Sequence, residues 1–403
     1  MAKLEEYIPI VGQSIIDDLR LLAKRLEGKV VQHINSTAVG GGVAEILTRA
    51  VPLLNELGLN TKWDVIKGGE QFFEVTKKFH NALHGRAEEI SQRDFDIFME
   101  ASAENIKGVD TYGDIVFVHD PQPIALINKR AENKWLWRCH IDVSNPNQKV
   151  WKFLMDFIVK YDSAVFSAPS FSRRLPIRQF LISPSIDPLS DKNKELPQDL
   201  IDSVLKKYEI EKDKPIITQI SRFDRLKDPV GVIQAYLQVK KYIDCQLILA
   251  GGSASDDPEG MQVLAEVKEK ASKDKDIHIL LLPQNDIEVN ALQRGSDVII
   301  QKSIREGFGL TVSEALWKAK PVVASNVGGI PLQIKHKYSG LLCHSIDGAA
   351  FAIKQLLNSP AYARKLGENG RENIRNNFLL TRHLKEYMLL FLSLYHPEDV
   401  VQL

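Results

Sequence analysis

Val30-Val31-Gln32-His33-Ile34 is followed by Gly40-Gly41-Gly42, and a helical pattern then runs from about Val43 to Leu57. A short apolar run, a glycine turn and a 3.6-residue periodicity in that order read as strand, turn and helix. The same unit recurs downstream. Strands are expected at Trp63–Ile66, Asp114–Val118, Trp135–Cys139 and Ser163–Phe166, with helical stretches between them. This alternation predicts a parallel sheet with helices on its faces. Pro184–Lys194 combines proline, serine and charge without an apolar face and reads as a linker. The alternation then restarts, with strands expected at Pro215–Ile220, Gln246–Ala250, Ile277–Leu282, Asp297–Gln301 and Pro321–Ala324. Helices are expected at Val230–Val239 and Leu310–Ala319, and the chain is mostly helical after Gly348. The expected fold class is α/β: two Rossmann-like domains, residues 1–187 and 188–380, facing across a cleft. In open α/β sheets ligands sit at the carboxyl ends of the strands.

Length and composition agree with this reading. At about 100–200 residues per domain, 403 residues allow two domains, and 44% hydrophobic residues supply their cores. The 52 basic residues balance the 52 acidic ones, so no global charge favours nucleic acid or an anionic membrane. Cys139, Cys245 and Cys343 show neither metal-ligand nor disulfide spacing. Acids are spread through the first 29 residues, and the best apolar stretch, Met388–Leu394, falls far short of the roughly 20 residues a membrane span needs. A cytoplasmic protein with no membrane or nucleic-acid partner is expected. Its oligomeric state is open, a homo-oligomer included.

Three stretches carry chemistry. Gly41 and Gly42 open a helix after a strand, where free backbone N–H groups suit an anion; a tight turn that binds nothing is the alternative. Ser221-Arg222-Phe223-Asp224-Arg225-Leu226-Lys227-Asp228-Pro229 follows the first strand of the second half. Its Arg222 and Lys227 suit a diphosphate, against the alternative of a solvated charged loop. The densest stretch is Glu306-Gly307-Phe308-Gly309-Leu310-Thr311-Val312-Ser313-Glu314, which sets two carboxylates around a glycine loop at a helix start. Pro321-Val322-Val323-Ala324 and Gly328-Gly329-Ile330-Pro331 follow it. Asp94-Phe95-Asp96 matches a metal-binding Asp-x-Asp pattern, but lies in a charged helical stretch and reads as a solvated helix face.

Glu-Gly-Phe-Gly-Leu, the seven residues separating Glu306 from Glu314, Pro-Val-Val-Ala and Gly-Gly-Ile-Pro in this order resemble the retaining glycosyltransferases of family 4, which have the GT-B architecture. The resemblance spans most of the chain. It implies that Arg222 and Lys227 neutralise the nucleotide diphosphate and that Gly41 and Gly42 approach the donor's distal phosphate. Glu306 and the Gly307, Phe308, Gly309, Leu310 and Thr311 stretch would hold the transferred hexose, and Glu314 the nucleotide ribose. Ser221 stands where the family often has glycine. His119, in Val118-His119-Asp120-Pro121-Gln122-Pro123, resembles the family's histidine near the sugar 6-hydroxyl. Gln122, His140, Asp142 and Asn145 are the acceptor-side candidates. In this architecture the last helix returns to the first domain, and residues 381–403 hold the candidate.

His-Asp-Pro-Gln-Pro and Trp-Arg-Cys-His-Ile-Asp narrow the resemblance to the trehalose glycosyltransferring synthases. This implies transfer of glucose from a nucleoside-diphosphate-glucose to glucose, giving α,α-trehalose, with no tightly bound cofactor and no metal site. Mg²⁺ is allowed as a counterion of the nucleotide. Retention commonly uses a carboxylate nucleophile, and none is evident, so attack from the leaving-group face is expected. The rival readings are a trehalose phosphorylase, a family 4 transferase with another acceptor and a non-catalytic sugar-nucleotide-binding protein. A dinucleotide-dependent oxidoreductase is disfavoured because the Gly-x-Gly-x-x-Gly fingerprint is missing.

Overall fold

The computed structural model describes residues 3–39, 41–252, 258–282, 285–396 and 398. The chain divides into two compact units, Met1–Ser185 with Leu380–Leu403, and Ile186–Leu379. The first holds strands β1 (Val30–Asn35), β2 (Asn60–Val65), β3 (Ile115–His119), β4 (Lys134–Cys139), β5 (Ser163–Phe166) and β6 (Arg178–Leu181). They form one parallel sheet in the order β2-β1-β3-β4-β5-β6. The second holds β7 (Ile216–Ile220), β8 (Gln246–Gly252), β9 (Ile277–Leu282), β10 (Val298–Gln301), β11 (Val322–Ser325) and β12 (Leu341–Cys343), parallel in the order β12-β11-β10-β7-β8-β9.

Each sheet starts inside itself. From β1 the chain moves outward to β2 and returns to β3 on the other side; from β7 it moves through β8 and β9 and returns to β10. Helical crossovers therefore leave β1 and β3, and likewise β7 and β10, in opposite directions. A crevice opens at the carboxyl ends of each such pair.

Helix-covered interior strands bury both faces. β3, β5, β7, β10 and β11 are buried at every position. The core of the first unit gathers Val116, Val118, Trp135, Trp137 and Phe166; that of the second gathers Ile217, Leu247, Leu249, Ile300 and Val323. In the first unit the helix Leu380–Ser393 packs on the helix Gln13–Arg25. The guanidinium of Arg138 donates to Tyr387 Oη at 2.9 Å and to the Ile182 carbonyl at 2.8 Å, and Lys385 meets Asp18 at 2.7 Å.

The Pro184–Lys194 stretch is built rather than solvated. Asn193 Nδ2 donates to the Asp187 carbonyl at 3.0 Å and to Ser190 Oγ at 3.1 Å, which allows Ser190 and Asn193 to be buried. No helix among the described residues is long and apolar enough to cross a membrane.

Candidate active site

The second unit's crevice is lined by the loops after β7 and β10. Lys227 follows β7 and Glu306 follows β10. Lys227 Nζ donates to both carboxylate oxygens of Glu306, at 2.8 and 2.7 Å. Both side chains are largely withdrawn from water, at 18% and 8% exposure, so the attraction is little screened. Glu306 Oε2 also accepts from Ser303 Oγ at 3.1 Å. Behind that bond a chain runs back to the helix Leu310–Trp317: Thr311 Oγ1 donates to Gln301 Oε1 at 3.2 Å, and Gln301 Nε2 to Ser303 Oγ at 2.9 Å.

Gln219, on β7, ties the two loops together. Its Nε2 donates to the Lys227 carbonyl at 3.0 Å, and its Oε1 accepts from the Lys302 amide at 3.0 Å. A second ion pair, Lys302 with Asp228, lies alongside. Asp228 has φ +48° and caps the helix Pro229–Lys240 through a bond from the Gly231 amide at 3.0 Å.

The glycine loop is held from beneath. Gly309 has φ +83° and starts the helix Leu310–Trp317. The Gly329 amide donates to the Gly307 carbonyl at 2.9 Å, and Gln333 Nε2 to the Phe308 carbonyl at 2.5 Å. The ring of Phe308 is buried against Phe378, so this residue has only backbone to offer a ligand. Gly328 has φ +56°, and a Cβ there would stand 1.7 Å from the Glu306 carbonyl oxygen. Gly328→Ala is therefore expected to destabilise the second unit by about 3 kcal/mol, at the upper end of ordinary single substitutions. Urea unfolding read by circular dichroism measures it, and an unchanged midpoint would contradict the close approach.

Two other candidates lie outside this cluster. The Arg222 side chain is 70% exposed, with one guanidinium nitrogen 3.3 Å from Asp224, and does not reach Lys227 or Glu306. Glu314 is buried on the fifth residue of its helix, with Oε1 3.8 Å from Lys192 Nζ. One turn further on, Lys318 Nζ donates to the Glu314 carbonyl and to Asn193 Oδ1, each at 3.1 Å. Burial, with the neighbouring Arg294 and Lys192 cations, lowers the Lys318 ammonium to about 7.

In the first unit, Gly41 and Gly42 are exposed and form the first two residues of the helix Gly41–Glu56; Gly40 lies outside the described residues. Gly41 has φ +80°, with open space where a side chain would begin. His119 closes β3, where its Nε2 lies 3.0 Å from His33 Nδ1 and its Nδ1 lies 3.2 Å from His140 Nε2. Asp120, next along, has φ +64° and accepts from the His140 amide at 2.7 Å. Gln122 is half-buried, and no hydrogen-bond partner is present for its buried Oε1 among the described residues. Asp142 accepts from the Ser144 amide at 2.9 Å, and Asn145 is exposed.

The four histidines in and beside this network are held neutral. Burial, with the Arg138 cation, lowers His33 to about 3. Burial likewise drives His119, His140 and His383 well below the ordinary value. Burial raises the Asp120 carboxyl to about 6, partly offset by the His140 amide and by Arg138. An unfolded histidine takes up a proton below about pH 6.5 that the folded one refuses. The histidine contribution is thus complete above that pH and is lost as pH falls toward 3. Asp120 acts oppositely: its contribution is complete below about pH 4 and is lost as pH rises through 6. Four groups outweigh one. Unfolding free energy from urea titration is expected to drop by about 1 kcal/mol or more between pH 7 and 5.5; a flat or rising profile would contradict the neutral network.

Asp94 corrects one reading. It is buried, not solvated: it accepts from the Ser91 amide at 2.8 Å and from Lys78 at 2.9 Å, in a capping box that starts the helix Gln92–Gly108. Only Asp96 is exposed. Among the described residues no group of three His, Cys, Asp or Glu side chains is placed to hold a metal ion.

Residues 33–173 match the model of the trehalose synthase N-terminal domain, and residues 201–373 match that of the glycosyl transferases group 1. Trehalose synthase of Pyrococcus horikoshii is 43% identical over 400 residues, which span 97% of this chain and 96% of that protein. Trehalose phosphorylase of Pleurotus pulmonarius is 31% identical over 433 residues, 92% of this chain but 58% of that protein. Among solved structures, that of trehalose-6-phosphate from E. coli bound with UDP-2-fluoro glucose aligns with a TM-score of 0.73 at 14% identity, covering 92% of this chain and 99% of that one. The fold is that of the GT-B glycosyltransferases. Motif order, sheet topology and near full-length similarity agree: the chain belongs to the trehalose synthase family of group 1 glycosyl transferases.

Proposed function

We propose that this glycosyltransferase moves glucose from a nucleoside-diphosphate-glucose to free glucose, forming α,α-trehalose with retention of configuration. The observation that carries the reading is the Lys227–Glu306 pair at the β7/β10 crevice, beside a glycine loop that opens a helix. Family membership supports trehalose-related glycosyl transfer, and the nucleotide sugar held by the E. coli neighbour supports the donor class.

In this reading the second unit binds the donor and the first the acceptor. Lys227 turns from Glu306 to the arriving diphosphate, and the exposed Arg222 joins it. Glu306, freed of its cation but still bonded by Ser303, accepts hydroxyls of the hexose. The bond from the anomeric carbon to the phosphate oxygen breaks, and the acceptor hydroxyl attacks from the same face. Its proton passes to the departing phosphate. Lys227 and Arg222 stabilise the charge that grows there.

Glu314 takes the ribose hydroxyls. Glu314→Ala should weaken a bare nucleoside diphosphate roughly 10–150-fold, the value of a charged hydrogen bond. Calorimetric titration reads this directly, and unchanged affinity would remove Glu314 from the nucleotide site.

The activity is tested by incubating the chain with ADP-, UDP- or GDP-glucose and glucose, with and without inorganic phosphate, and with maltose alone. Trehalose and free nucleoside diphosphate in equal amounts, without phosphate, are expected. Phosphate dependence would give the phosphorylase reading instead, and trehalose from maltose alone would exclude a nucleotide-sugar donor.

A further inference from the structure

His33, His119 and His140 come from β1, β3 and the turn after β4, and their rings meet in sequence. His33 Nδ1 and His119 Nε2 are 3.0 Å apart, and His119 Nδ1 and His140 Nε2 are 3.2 Å apart. The rings lie within 28° and 22° of parallel, with centroids 5.3 and 5.5 Å apart. At these nitrogen separations the rings meet edge to edge, so the contacts are in-plane hydrogen bonds rather than face stacking. Both nitrogens of His119 are consumed by its neighbours.

A neutral imidazole has one N–H and one lone pair, so one choice of tautomer sets all three. The deciding atom is His33 Nε2, which is buried with no hydrogen-bond partner among the described residues. Around that ring stand Phe117, Tyr387 and Phe391. An N–H aimed at this wall gains at most a weak contact with an aromatic face, and buried N–H groups are left unmet more rarely than buried acceptors. The proton of His33 therefore sits on Nδ1 and is donated to His119 Nε2. His119 then carries its proton on Nδ1 and donates to His140 Nε2, which leaves His140 with Nδ1–H. His140 is the only one of the three that is half-buried; the other two are buried.

We propose that the three histidines form a one-way hydrogen-bond relay in which His33 and His119 are positioning residues and His140 Nδ1–H is the fixed donor to a hydroxyl of the bound hexose. The hexose role rests on the function proposed above; the direction of the relay does not. Burial beside Arg138 keeps all three rings neutral, as the relay requires. Asparagine at position 33 keeps an amide N–H close to where Nδ1 was, whereas leucine removes the donor.

The test is long-range ¹H–¹⁵N spectroscopy of the full chain labelled with ¹⁵N-histidine, near pH 7.5, with signals assigned from single-histidine variants. All three rings are expected as the Nδ1–H tautomer. H33L should leave His119 and His140 as Nδ1–H tautomers but strip the His119 Nε2 lone pair of its hydrogen bond, seen as a downfield ¹⁵N shift, and lower kcat for glucosyl transfer about tenfold, the value of one positioned hydrogen bond, with nucleoside diphosphate affinity unchanged. H33N should restore the His119 Nε2 shift and most of the rate. An Nε2–H or charged His119 or His140 in the unsubstituted chain would overturn the relay, as would an H33L chain with an unmoved His119 Nε2 signal. Should H33L fail to fold, the unsubstituted spectrum and H33N still decide. A relay seen intact in a chain that transfers no glucose would refute the proposed function and leave the relay standing.

Discussion

Lys227→Ala is expected to lower kcat by about 10²–10³-fold, the usual cost of one preorganised electrostatic donor. Lys227 meets both oxygens of Glu306, and in the proposed reaction it meets the diphosphate as negative charge builds. Its removal also leaves a buried carboxylate without its cation. Breaking such a pair on one side costs about 3–5 kcal/mol. Part of this should return in Lys227→Ala with Glu306→Gln, where no uncompensated charge is left. The rate should not return. Steady-state transfer rates, with urea unfolding of each variant, separate the two effects. A double variant as active as Glu306→Gln alone would show that Lys227 serves only to neutralise its partner.

Glu306→Gln carries the second large effect. The amide keeps hydrogen-bonding capacity but gives up charge, so in the proposed reaction hydroxyls of the hexose are held less firmly as the bond to the phosphate opens. Turnover should fall roughly 10–150-fold, the range for a charged hydrogen bond. Bare nucleoside diphosphate should bind as well as before or better, since Lys227 no longer has to leave a carboxylate to reach it. Calorimetric titration and transfer rates on the same preparation measure the two. Equal losses in both would place Glu306 at the diphosphate instead.

The interior of both sheets was legible in the sequence because strands buried on both faces carry continuous apolar runs, as in Ile115–Val118 and Leu247–Ala250. The edges were not. β6 and β12 were missed, and β2 spans Asn60–Val65 where Trp63–Ile66 was expected. These strands lie at sheet edges, and β6 reads Arg-Gln-Phe-Leu with no residue buried, so hydrophobic pattern alone does not mark it.

The site was legible as loops rather than as pairs. Spacing put Lys227 and Glu306 after two different strands; only the strand order, which brings β7 beside β10, makes them partners. Gln219, Ser303 and Gln333 went unnoticed because a glutamine or serine bonded to backbone or to a carboxylate has no sequence signature. His33 did leave one: Gln32-His33 are two polar residues inside an apolar strand, and in an interior strand such residues need partners. Asp94 was expected on a solvated face because a three-residue acidic motif does not reveal that its carboxylate closes a capping box and pairs with Lys78.

The most direct test of the central claim uses nucleoside-diphosphate-[1-¹³C]glucose, unlabelled glucose and no inorganic phosphate, followed by ¹³C NMR. The expected product is α,α-trehalose with one of its two anomeric carbons labelled and α-configured, formed mole for mole with nucleoside diphosphate. An unlabelled product, a β-configured label, or release of nucleotide with labelled free glucose alone would contradict the account.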